Sequence, residues 1–365
     1  MESLEQRIKS YALDLGFSHV GICAVQEGDT VPRLRDWLSR NYHGQMKYME
    51  NEKRLAPAAV LEGTRSMIVV AMNYRWPDDG EMEQEAIISK YAWSQDYHEV
   101  MKPLLEMLAA FVREMAPEGS TRAYVDTGPI VEKHWAQKAG IGWIGKHTNI
   151  ISTHGSSWLF LGEVLTDLSL KADPAAQDHC GSCSRCIEVC PTRAIVAPYV
   201  LDARLCISYL TIELRASIPR ELRSMIGNRI FGCDDCQDVC PWNRFAFAGD
   251  PHFTPQPEVL SATLREYLRM TASEFKKRFA GTNVLRTKHR GFIRNCLIAA
   301  GNAVRPDLRP DIVRHLASDD PMIREHAVWA LACYNDSEAR LVLRALRERE
   351  TDATVLSEID YCLSS

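Results

Sequence analysis

Apolar residues are spaced differently in different parts of the chain, and their spacing predicts where helices and strands lie. They recur at helical intervals over residues 4–15, where Gly16 is a typical C-terminal signal, and again over 100–115. Short apolar runs with the length and residue types of strands occupy 67–72, 122–125 and 158–161. This mixture predicts an α/β unit over residues 1–170, with functional side chains at the strand ends.

The C-terminal part of the chain, residues 251–365, has a helical pattern. It follows a proline-rich stretch at 249–257 that cannot continue a helix or a central strand, so we place a linker there. Similar sequences recur at a shift of 30 residues: 293–300 matches 323–330, and 312–316 matches 342–346. Two stacked helical hairpins resembling HEAT-type repeats explain this recurrence, and unrelated amphipathic helices are the alternative.

The intervening region, residues 171–250, is defined by its cysteines. Eight of the twelve cysteines in the chain fall between Cys180 and Cys240. The first run has the spacing of bacterial ferredoxins, Cys180-x2-Cys183-x2-Cys186-x3-Cys190-Pro191. The second run lacks its first cysteine and reads Cys233-x2-Cys236-x3-Cys240-Pro241. Cys206, which lies between the runs, restores the count to eight.

Eight thiolates are the ligands that two four-iron four-sulfur clusters require, so we predict a ferredoxin-type domain. The last cysteine of a run ligates the other cluster in two-cluster ferredoxins. We therefore assign one cluster to Cys180, Cys183, Cys186 and Cys240, and the other to Cys190, Cys206, Cys233 and Cys236. A pair of four-cysteine zinc sites is the alternative, although zinc ribbons do not need a third cysteine at this spacing.

Composition and charge narrow the class of protein. Hydrophobic residues make up 46% of the chain and charged residues 25%, an ordinary globular mixture. The longest apolar run, 327–334, is too short to cross a membrane, and residues 1–7 carry acids rather than an apolar signal segment. We expect a soluble, cytoplasmic protein that lacks disulfides and does not associate with membranes.

The sequence Gly140-Ile141-Gly142-Trp143-Ile144-Gly145-Lys146 matches the G-x-G-x-x-G pattern of dinucleotide-binding proteins. A helical pattern over 129–139 precedes these glycines, and a strand-like pattern over 147–152 follows them. This order is the reverse of the strand–turn–helix that directs a helix N-terminus at a pyrophosphate. We therefore predict no nucleotide site here, and we interpret the glycines as a tight turn or as the wall of a cofactor pocket.

Together with the cysteine runs, several short strings closely resemble the epoxyqueuosine reductase family. They are Asp96-Tyr97-His98, Val125-Asp126-Thr127-Gly128, the segment 139–146, Arg204-Leu205-Cys206-Ile207-Ser208-Tyr209-Leu210-Thr211, and the stretch from Gly227-Asn228-Arg229 to Cys240-Pro241. Members of that family reduce the epoxide of epoxyqueuosine, a modified base in the anticodon loop of certain tRNAs, to queuosine. They use cobalamin and two four-iron four-sulfur clusters.

The resemblance implies a cobalamin that is bound base-off, without a protein ligand to cobalt. His98 is not such a ligand, because Met101 stands where the cobalamin motif D-x-H-x-x-G needs glycine. By the position of the matching motifs, the residues implied in cobalamin binding are Arg54, Ser89, Asp126, Ile150, Leu161 and Ser208. Ser89 stands where some family members have a cysteine.

Reduction of an epoxide needs a proton donor near the leaving oxygen, and the resemblance points to Asp126. Burial beside an apolar corrin face would raise the pKa of this carboxyl and keep it protonated. The alternative is an aspartate that caps a helix starting at Pro129.

Positive charge is concentrated between residues 276 and 309, which carry nine basic side chains and one acidic side chain, a net charge of +8 in a chain of −5. Such a segment suits the phosphate backbone of tRNA, and a solvated face without a partner is the alternative. The residues predicted to contact tRNA are Arg286, Lys288, Arg290 and Arg294.

Two other functions fit parts of the sequence. A reductive dehalogenase also combines cobalamin with two clusters, but it acts on small organohalides and has no need of a basic helical tail. A ferredoxin module on a repeat scaffold could relay electrons without catalysis. We expect a monomeric enzyme that receives electrons from an unidentified donor.

Overall fold

A computed structural model describes residues 2–26, 31–76, 85–154 and 156–364. The chain forms two compact units, each assembled from separated stretches of sequence. The first comprises Met1–Pro77, Ser94–Arg204 and Asp234–Pro255, and the second comprises Asp78–Trp93, Leu205–Cys233 and Gln256–Ser365. The division into three consecutive domains, 1–170, 171–250 and 251–365, stays a prediction.

In chain order, the strands are β1 (His19–Ala24), β2 (Ser66–Asn73), β3 (Ile87–Ile88), β4 (Thr121–Tyr124), β5 (Trp143–Ile144), β6 (Ile150–Ile151), β7 (Leu159–Thr166), β8 (Ile195–Ala197), β9 (Val200–Leu201) and β10 (Arg229–Phe231). The α-helices are α1 (Leu4–Asp14), α2 (Pro32–Ser39), α3 (Tyr97–Met115), α4 (Glu132–Lys138), α5 (Arg185–Val189), α6 (Ile207–Ile212), α7 (Arg220–Ile226), α8 (Asp235–Asp238), α9 (Pro257–Leu260), α10 (Leu264–Arg269), α11 (Ala272–Arg278), α12 (Lys288–Ala303), α13 (Arg309–His315), α14 (Pro321–Ala332), α15 (Ser337–Arg347) and α16 (Ala353–Ser364).

A four-stranded sheet in the order β1-β2-β7-β4 forms the centre of the first unit, and each neighbouring pair is antiparallel. Strand direction was not predicted from the sequence. Every residue of β2 is buried, which explains why its sequence is a continuous apolar run without alternation. In β7, Glu163 lies opposite Val69 of β2 on one side and Tyr124 of β4 on the other.

Helices cover both faces of this sheet. Helices α1 and α3 pack together on one face, where Tyr11 stacks on Phe111 with ring centroids 4.2 Å apart. Helix α4 covers the other face, and its Trp135 joins an apolar cluster with residues of β2 and β7. The helices predicted over 4–15 and 100–115 correspond to α1 and α3, and the three predicted runs correspond to β2, β4 and β7.

The cysteine-rich part of the first unit is built from short elements. Helix α5 carries Cys186, helix α8 carries Cys236, and the two helices pack against each other. Strands β8 and β9 form a small hairpin after the first cysteine run. Short helices are expected here because the turns between ligands, rather than a large apolar core, fix the chain.

The second unit is largely helical. Helices α12, α14 and α16 pack in succession around an apolar core. The segments that match at a shift of 30 residues lie in corresponding helices, the first pair in α12 and α14 and the second pair in α13 and α15. The helical prediction for this part is thus confirmed, while its assignment to HEAT-type repeats stays a prediction. No helix among the described residues is long and apolar enough to span a membrane.

Candidate functional site

Asp126 lies in the loop after β4, where the backbone turns sharply. Its φ is +51°, a left-handed conformation that aspartate tolerates better than most side chains. About half of the side chain is exposed (48%). Burial of this carboxyl was expected beside a bound corrin, and it stays a prediction.

The alternative role of Asp126, as the cap of a helix starting at Pro129, is wrong. Helix α4 begins at Glu132 rather than at Pro129, and its N-cap residue is Val131. Asp126 precedes that cap by five residues in the sequence. Its position in a strained turn thus needs an explanation other than capping.

His98 connects Asp126 to a second carboxylate. The imidazole Nε2 is 3.5 Å from Asp126 Oδ2, and Nδ1 is 2.6 Å from Asp96 Oδ1. Asp96 also caps α3 by accepting the backbone N–H of His98, so the helix start holds both residues in place. Burial alone lowers the pKa of His98, but Asp126 and Asp96 outweigh it and raise this pKa to about 9. At neutral pH the ring is therefore an imidazolium.

Two further carboxyl groups lie behind the Asp126 loop. Glu132 Oε1 accepts the backbone N–H of Asp126, and Glu163 of β7 is fully buried. Burial, reinforced by the charge of Asp126, raises the pKa of Glu132 to about 8. Burial, reinforced by Glu132 and Asp126, raises the pKa of Glu163 well above its usual value. Burial thus favours the protonated, neutral form of both carboxyl groups.

Sequence reasoning missed His98, Glu132 and Glu163 as members of this site. In Asp96-Tyr97-His98, an aspartate at a helix start is followed two residues later by a histidine, and this pattern could have indicated that the two side chains pair. Glu163 lies in an otherwise apolar run over 159–166, and a charged residue in such a run is a recognisable sign of a buried polar site. Glu132 carried no distinguishing signal.

Three of the residues implied in cobalamin binding gather near the same loop. Arg54 Nη1 donates to the backbone oxygen of Ile130 at 2.9 Å. The side chain of Ile130 belongs to the apolar cluster that also contains Ile150 and Leu161. Arg54 also lowers the pKa of Glu132 through its charge, opposing the larger effect of burial. Arg54 thus interacts with Glu132 through its charge, and Ile150 and Leu161 share an apolar cluster with Ile130.

The two remaining predicted residues, Ser89 and Ser208, lie in the second unit. Ser89 is buried, and its backbone N–H donates to Phe231 O. Gly232, with a φ of +73°, has no room for a side chain, because an added Cβ would lie 2.4 Å from Ser89 Cβ. Ser208 is half-buried in α6.

Four thiols of the first predicted cluster lie in the first unit and influence one another. Burial raises the pKa of Cys186 to about 11, and the thiols of Cys180, Cys240 and Cys183 reinforce the shift. Cys240, although it is distant in sequence, is therefore a neighbour of the first run. Four soft thiols in one neighbourhood suit an iron–sulfur cluster. Among the described residues, no group of three or more His, Cys, Asp or Glu side chains is arranged to hold a single metal ion.

The ligands assigned to the other cluster are divided between the units. Cys190 and Cys236 belong to the first unit, whereas Cys206 and Cys233 belong to the second. Cys206 is the N-cap residue of α6, directly before a buried helix. This assignment stays a prediction.

The basic segment is more heavily paired than its sequence suggests. Arg286 forms an ion pair with Glu213, and Arg290 forms one with Asp320. Arg294 is fully buried and donates to the backbone oxygens of Leu210, Leu214 and Ala216. The prediction that Arg294 contacts tRNA is therefore wrong, because its guanidinium stabilises the interior of the second unit.

Lysines account for most of the unpaired charge on this segment. Lys276, Lys277 and Lys288 are exposed, and within the described part of the chain none of them forms an ion pair. An exposed ammonium group without a protein partner is free to contact a phosphate.

Comparison with known proteins places these features in a family. Residues 54–127 match the family model "Epoxyqueuosine reductase QueG, DUF1730", and residues 179–243 match "4Fe-4S double cluster binding domain". An epoxyqueuosine reductase of Xanthomonas campestris is 42% identical over 89% of this chain and 95% of its own length. That of Escherichia coli is 38% identical over 91% of this chain and 90% of its own.

Solved structures agree with the sequence relatives. A crystal structure of selenomethionine-labelled epoxyqueuosine reductase has a TM-score of 0.91, is 30% identical and covers 99% of this chain and 98% of its own. An epoxyqueuosine reductase bound to an epoxyqueuosine-modified tRNA stem loop has a TM-score of 0.89 at 29% identity, with the same coverage.

The cysteine runs and the fold define an iron–sulfur oxidoreductase with a mixed α and β architecture. The sequence identity to epoxyqueuosine reductases extends over about nine tenths of this chain and makes the assignment more specific. The chain belongs to the epoxyqueuosine reductase family.

Proposed function

We propose that this protein reduces the epoxide of epoxyqueuosine to the alkene of queuosine in the anticodon loop of tRNA. The observation that carries the proposal is the identity of 42% to an epoxyqueuosine reductase over 95% of that relative. The reaction consumes two electrons and two protons and releases one water molecule. The protein must therefore supply an electron path, a reducing centre and a proton donor.

For the electron path we propose two four-iron four-sulfur clusters, held by the two sets of cysteines assigned above. The neighbouring thiols of Cys180, Cys183, Cys186 and Cys240 support the first set. For the reducing centre we propose cobalamin, which supplies, when bound, a low-valent cobalt able to reduce the epoxide. The residues that we propose bind it are those implied by the resemblance: Arg54, Ser89, Asp126, Ile150, Leu161 and Ser208.

The state of His98 supports a cobalamin without a protein ligand. Both ring nitrogens face carboxylates, and the raised pKa keeps a proton on each of them at neutral pH. An imidazolium has no lone pair to offer cobalt. The exclusion of His98 as a cobalt ligand, first drawn from Met101, thus gains a second and physical argument.

For proton delivery we propose that Asp126 and His98 act as a pair. Asp126 is the group exposed to substrate, and His98 holds the proton next to it, 3.5 Å away. The proton held on His98 passes through the Asp126 carboxylate to the leaving oxygen, while Asp96 holds the ring in position. Glu132 holds the loop by accepting the Asp126 backbone N–H.

For tRNA binding we propose the exposed part of the basic segment. Lys276, Lys277 and Lys288 would contact phosphates directly, and Arg286 and Arg290 would exchange their carboxylate partners for phosphates. The helical repeats of residues 251–365, as HEAT-type hairpins, would support this surface. We place the enzyme in the cytoplasm as a monomer, with an unidentified electron donor.

One experiment tests this function against its alternatives. The anaerobic, reconstituted protein is incubated with cobalamin, a chemical reductant and tRNA that contains epoxyqueuosine, and the nucleosides are then analysed by mass spectrometry. We expect queuosine to form only when both cobalamin and reductant are present. Dehalogenation of an organohalide with no action on the tRNA would favour the dehalogenase, and no turnover of either would favour the electron-relay scaffold.

A further inference from the structure

The glycine-rich sequence 140–146 takes no part in the function proposed so far. In the structure it follows α4, and it contains β5, which pairs with β6 as an antiparallel hairpin. The predicted strand over 147–152 is shorter than expected, because only Ile150 and Ile151 are extended. The glycines lead into this strand rather than into a helix, so the segment directs no helix N-terminus at a phosphate. We call residues 140–151 the glycine-rich hairpin.

The glycines allow the hairpin to pack closely against its own chain. A Cβ at Gly142 would lie 2.2 Å from Ile151 O, and one at Gly140 would lie 2.7 Å from Pro174 O. Both neighbours are backbone atoms that cannot move aside cheaply. Gly140 also has a backbone φ of +79°, which residues other than glycine rarely adopt. The hairpin is therefore fixed, and so are the side chains of Trp143 and Lys146 that it carries.

Trp143 packs against the ligands of the first predicted cluster. It is only 1% exposed and forms an apolar cluster with Ile151, Cys240, Cys180 and Trp242. The indole meets the ring of Trp242 edge-on at 4.9 Å. Among the described residues, Trp143 Nε1 has no acceptor at full hydrogen-bond geometry, although the side chain approaches the thiol of Cys180. A buried N–H without an acceptor is costly and calls for a partner.

Lys146 binds the loop that carries the same cysteines. Its ammonium group donates to Gly181 O at 2.7 Å and to Cys183 O at 2.8 Å. Its backbone N–H approaches Cys180, as the indole of Trp143 does. One rigid hairpin thus places two N–H groups and a positive charge around the first cysteine run.

We propose that the glycine-rich hairpin sets the reduction potential of the cluster ligated by Cys180, with the indole N–H of Trp143 donating a hydrogen bond to the Cys180 sulfur. The proposal rests on the proposed assignment of Cys180, Cys183, Cys186 and Cys240 to one cluster. Hydrogen bonds to cluster sulfurs and exclusion of solvent are the main means by which a protein adjusts such a potential. An N–H donor stabilises the reduced, more negative cluster, so it raises the potential.

The test is an anaerobic redox titration of the reconstituted protein, followed by electron paramagnetic resonance. Trp143→Phe keeps an aromatic ring of similar packing and removes the N–H. We expect the ratio of reduced to oxidised cluster at a fixed potential to fall about tenfold for one cluster, which corresponds to ~59 mV for a one-electron couple. The other cluster should not change. Trp135→Phe is the matched control, since it removes an equally buried indole that packs in α4 away from these cysteines.

A second measurement uses the native Trp143 and so does not depend on the folding of its variant. Protein labelled with 15N at the indole nitrogens, and carrying Trp242→Phe to remove the neighbouring indole, should show a 15N hyperfine coupling to the reduced cluster. An unchanged potential in Trp143→Phe at full iron content, or no 15N coupling, would overturn this inference alone. Wild-type protein that binds no iron under reconstitution would overturn the cluster assignment and this inference with it.

Discussion

The imidazole of His98 lies between two carboxylates, with Nε2 3.5 Å from Asp126 Oδ2 and Nδ1 2.6 Å from Asp96 Oδ1. Asp96 is the N-cap of a long helix and Asp126 lies in a sharp turn after a strand, so these two elements bring two carboxylates to one imidazole. The arrangement keeps a proton beside Asp126, the most exposed of the three side chains.

The titration of His98 provides the first prediction. Because Asp126 and Asp96 raise its pKa to about 9, the ring should stay protonated through neutral pH. The stability contributed by this pair is fully present below the ordinary pKa of about 6.5 and is lost as the pH rises through about 9. Nuclear magnetic resonance of 15N-histidine should show this, and Asp126→Asn should lower the pKa. A titration near the ordinary value in the wild type would contradict the pairing.

Asp126→Asn should lower turnover of epoxyqueuosine-containing tRNA by ~100-fold or more, the usual effect of removing a positioned proton donor. The iron content, cobalamin binding and tRNA affinity should stay at wild-type levels, because asparagine has the same shape and tolerates the left-handed backbone at this position. His98→Gln should lower turnover less, since it removes the proton reservoir and leaves the donor. Wild-type turnover in Asp126→Asn would exclude its role as the proton donor.

Glu132 should make the protein less stable as the pH rises. Its pKa is raised to about 8 in the folded state, so ionisation above the ordinary value of about 4.5 favours the unfolded chain. Glu132→Gln keeps an oxygen that can accept the Asp126 N–H and removes the ionisation. We compare the free energy of unfolding of the variant with that of the wild type at each pH. From about pH 5 to about pH 8 this difference should shift in favour of the variant by on the order of 1–3 kcal/mol. Chemical denaturation at both pH values measures this, and an equal difference at both would contradict it.

Cys206→Ala should remove one cluster and leave the other. Iron should fall from about eight atoms per chain to about four, since Cys206 is the ligand that completes the second run. Cys333→Ala is the control, because Cys333 lies outside both runs at the end of α14. Retention of all the iron in Cys206→Ala would show that another group completes the second cluster.

Reversal of Lys276, Lys277 and Lys288 to Glu should weaken tRNA binding and flatten its salt dependence. Removal of one phosphate contact lowers the slope of log K against log salt by about one. A matched reversal of Lys102, Arg344 and Arg349, which are exposed but lie outside the basic segment, should have little effect. An unchanged salt slope in the lysine variant would place the tRNA elsewhere.

Arg294→Ala should lower the stability of the protein rather than its affinity for tRNA. The substitution leaves the carbonyl groups of Leu210 and Leu214, which are buried, and of Ala216 without this donor. Chemical denaturation of the variant measures the change in the free energy of unfolding. Wild-type stability together with weaker tRNA binding would restore Arg294 to the binding surface.

Local patterns in the sequence were sufficient to predict much of this protein. The spacing of Cys180, Cys183, Cys186 and Cys190 specifies cluster chemistry because each ligand is a few residues from the next, a distance that one turn of chain fixes. The helices over 4–15 and 100–115 and the buried run of β2 were predicted for the same reason, since their periodicity lies within one element. The order of helix, glycines and strand in 129–152 was predicted for the same reason.

Only the tertiary structure decided what each of several side chains contacts. Arg294 and Lys288 lie six residues apart in one basic segment, yet Arg294 is buried and Lys288 is exposed. Arg294 can be buried because backbone carbonyl groups such as that of Leu210, from another part of the chain, accept its hydrogen bonds. Burial raises the pKa of Glu163, and Glu132, which comes from another element, reinforces the shift. Trp143 and Lys146 contact the first cysteine run although more than thirty residues of sequence separate them from Cys180. Sequence patterns report the neighbours along the chain, whereas pKa values, hydrogen-bond partners and solvent access depend on neighbours in space.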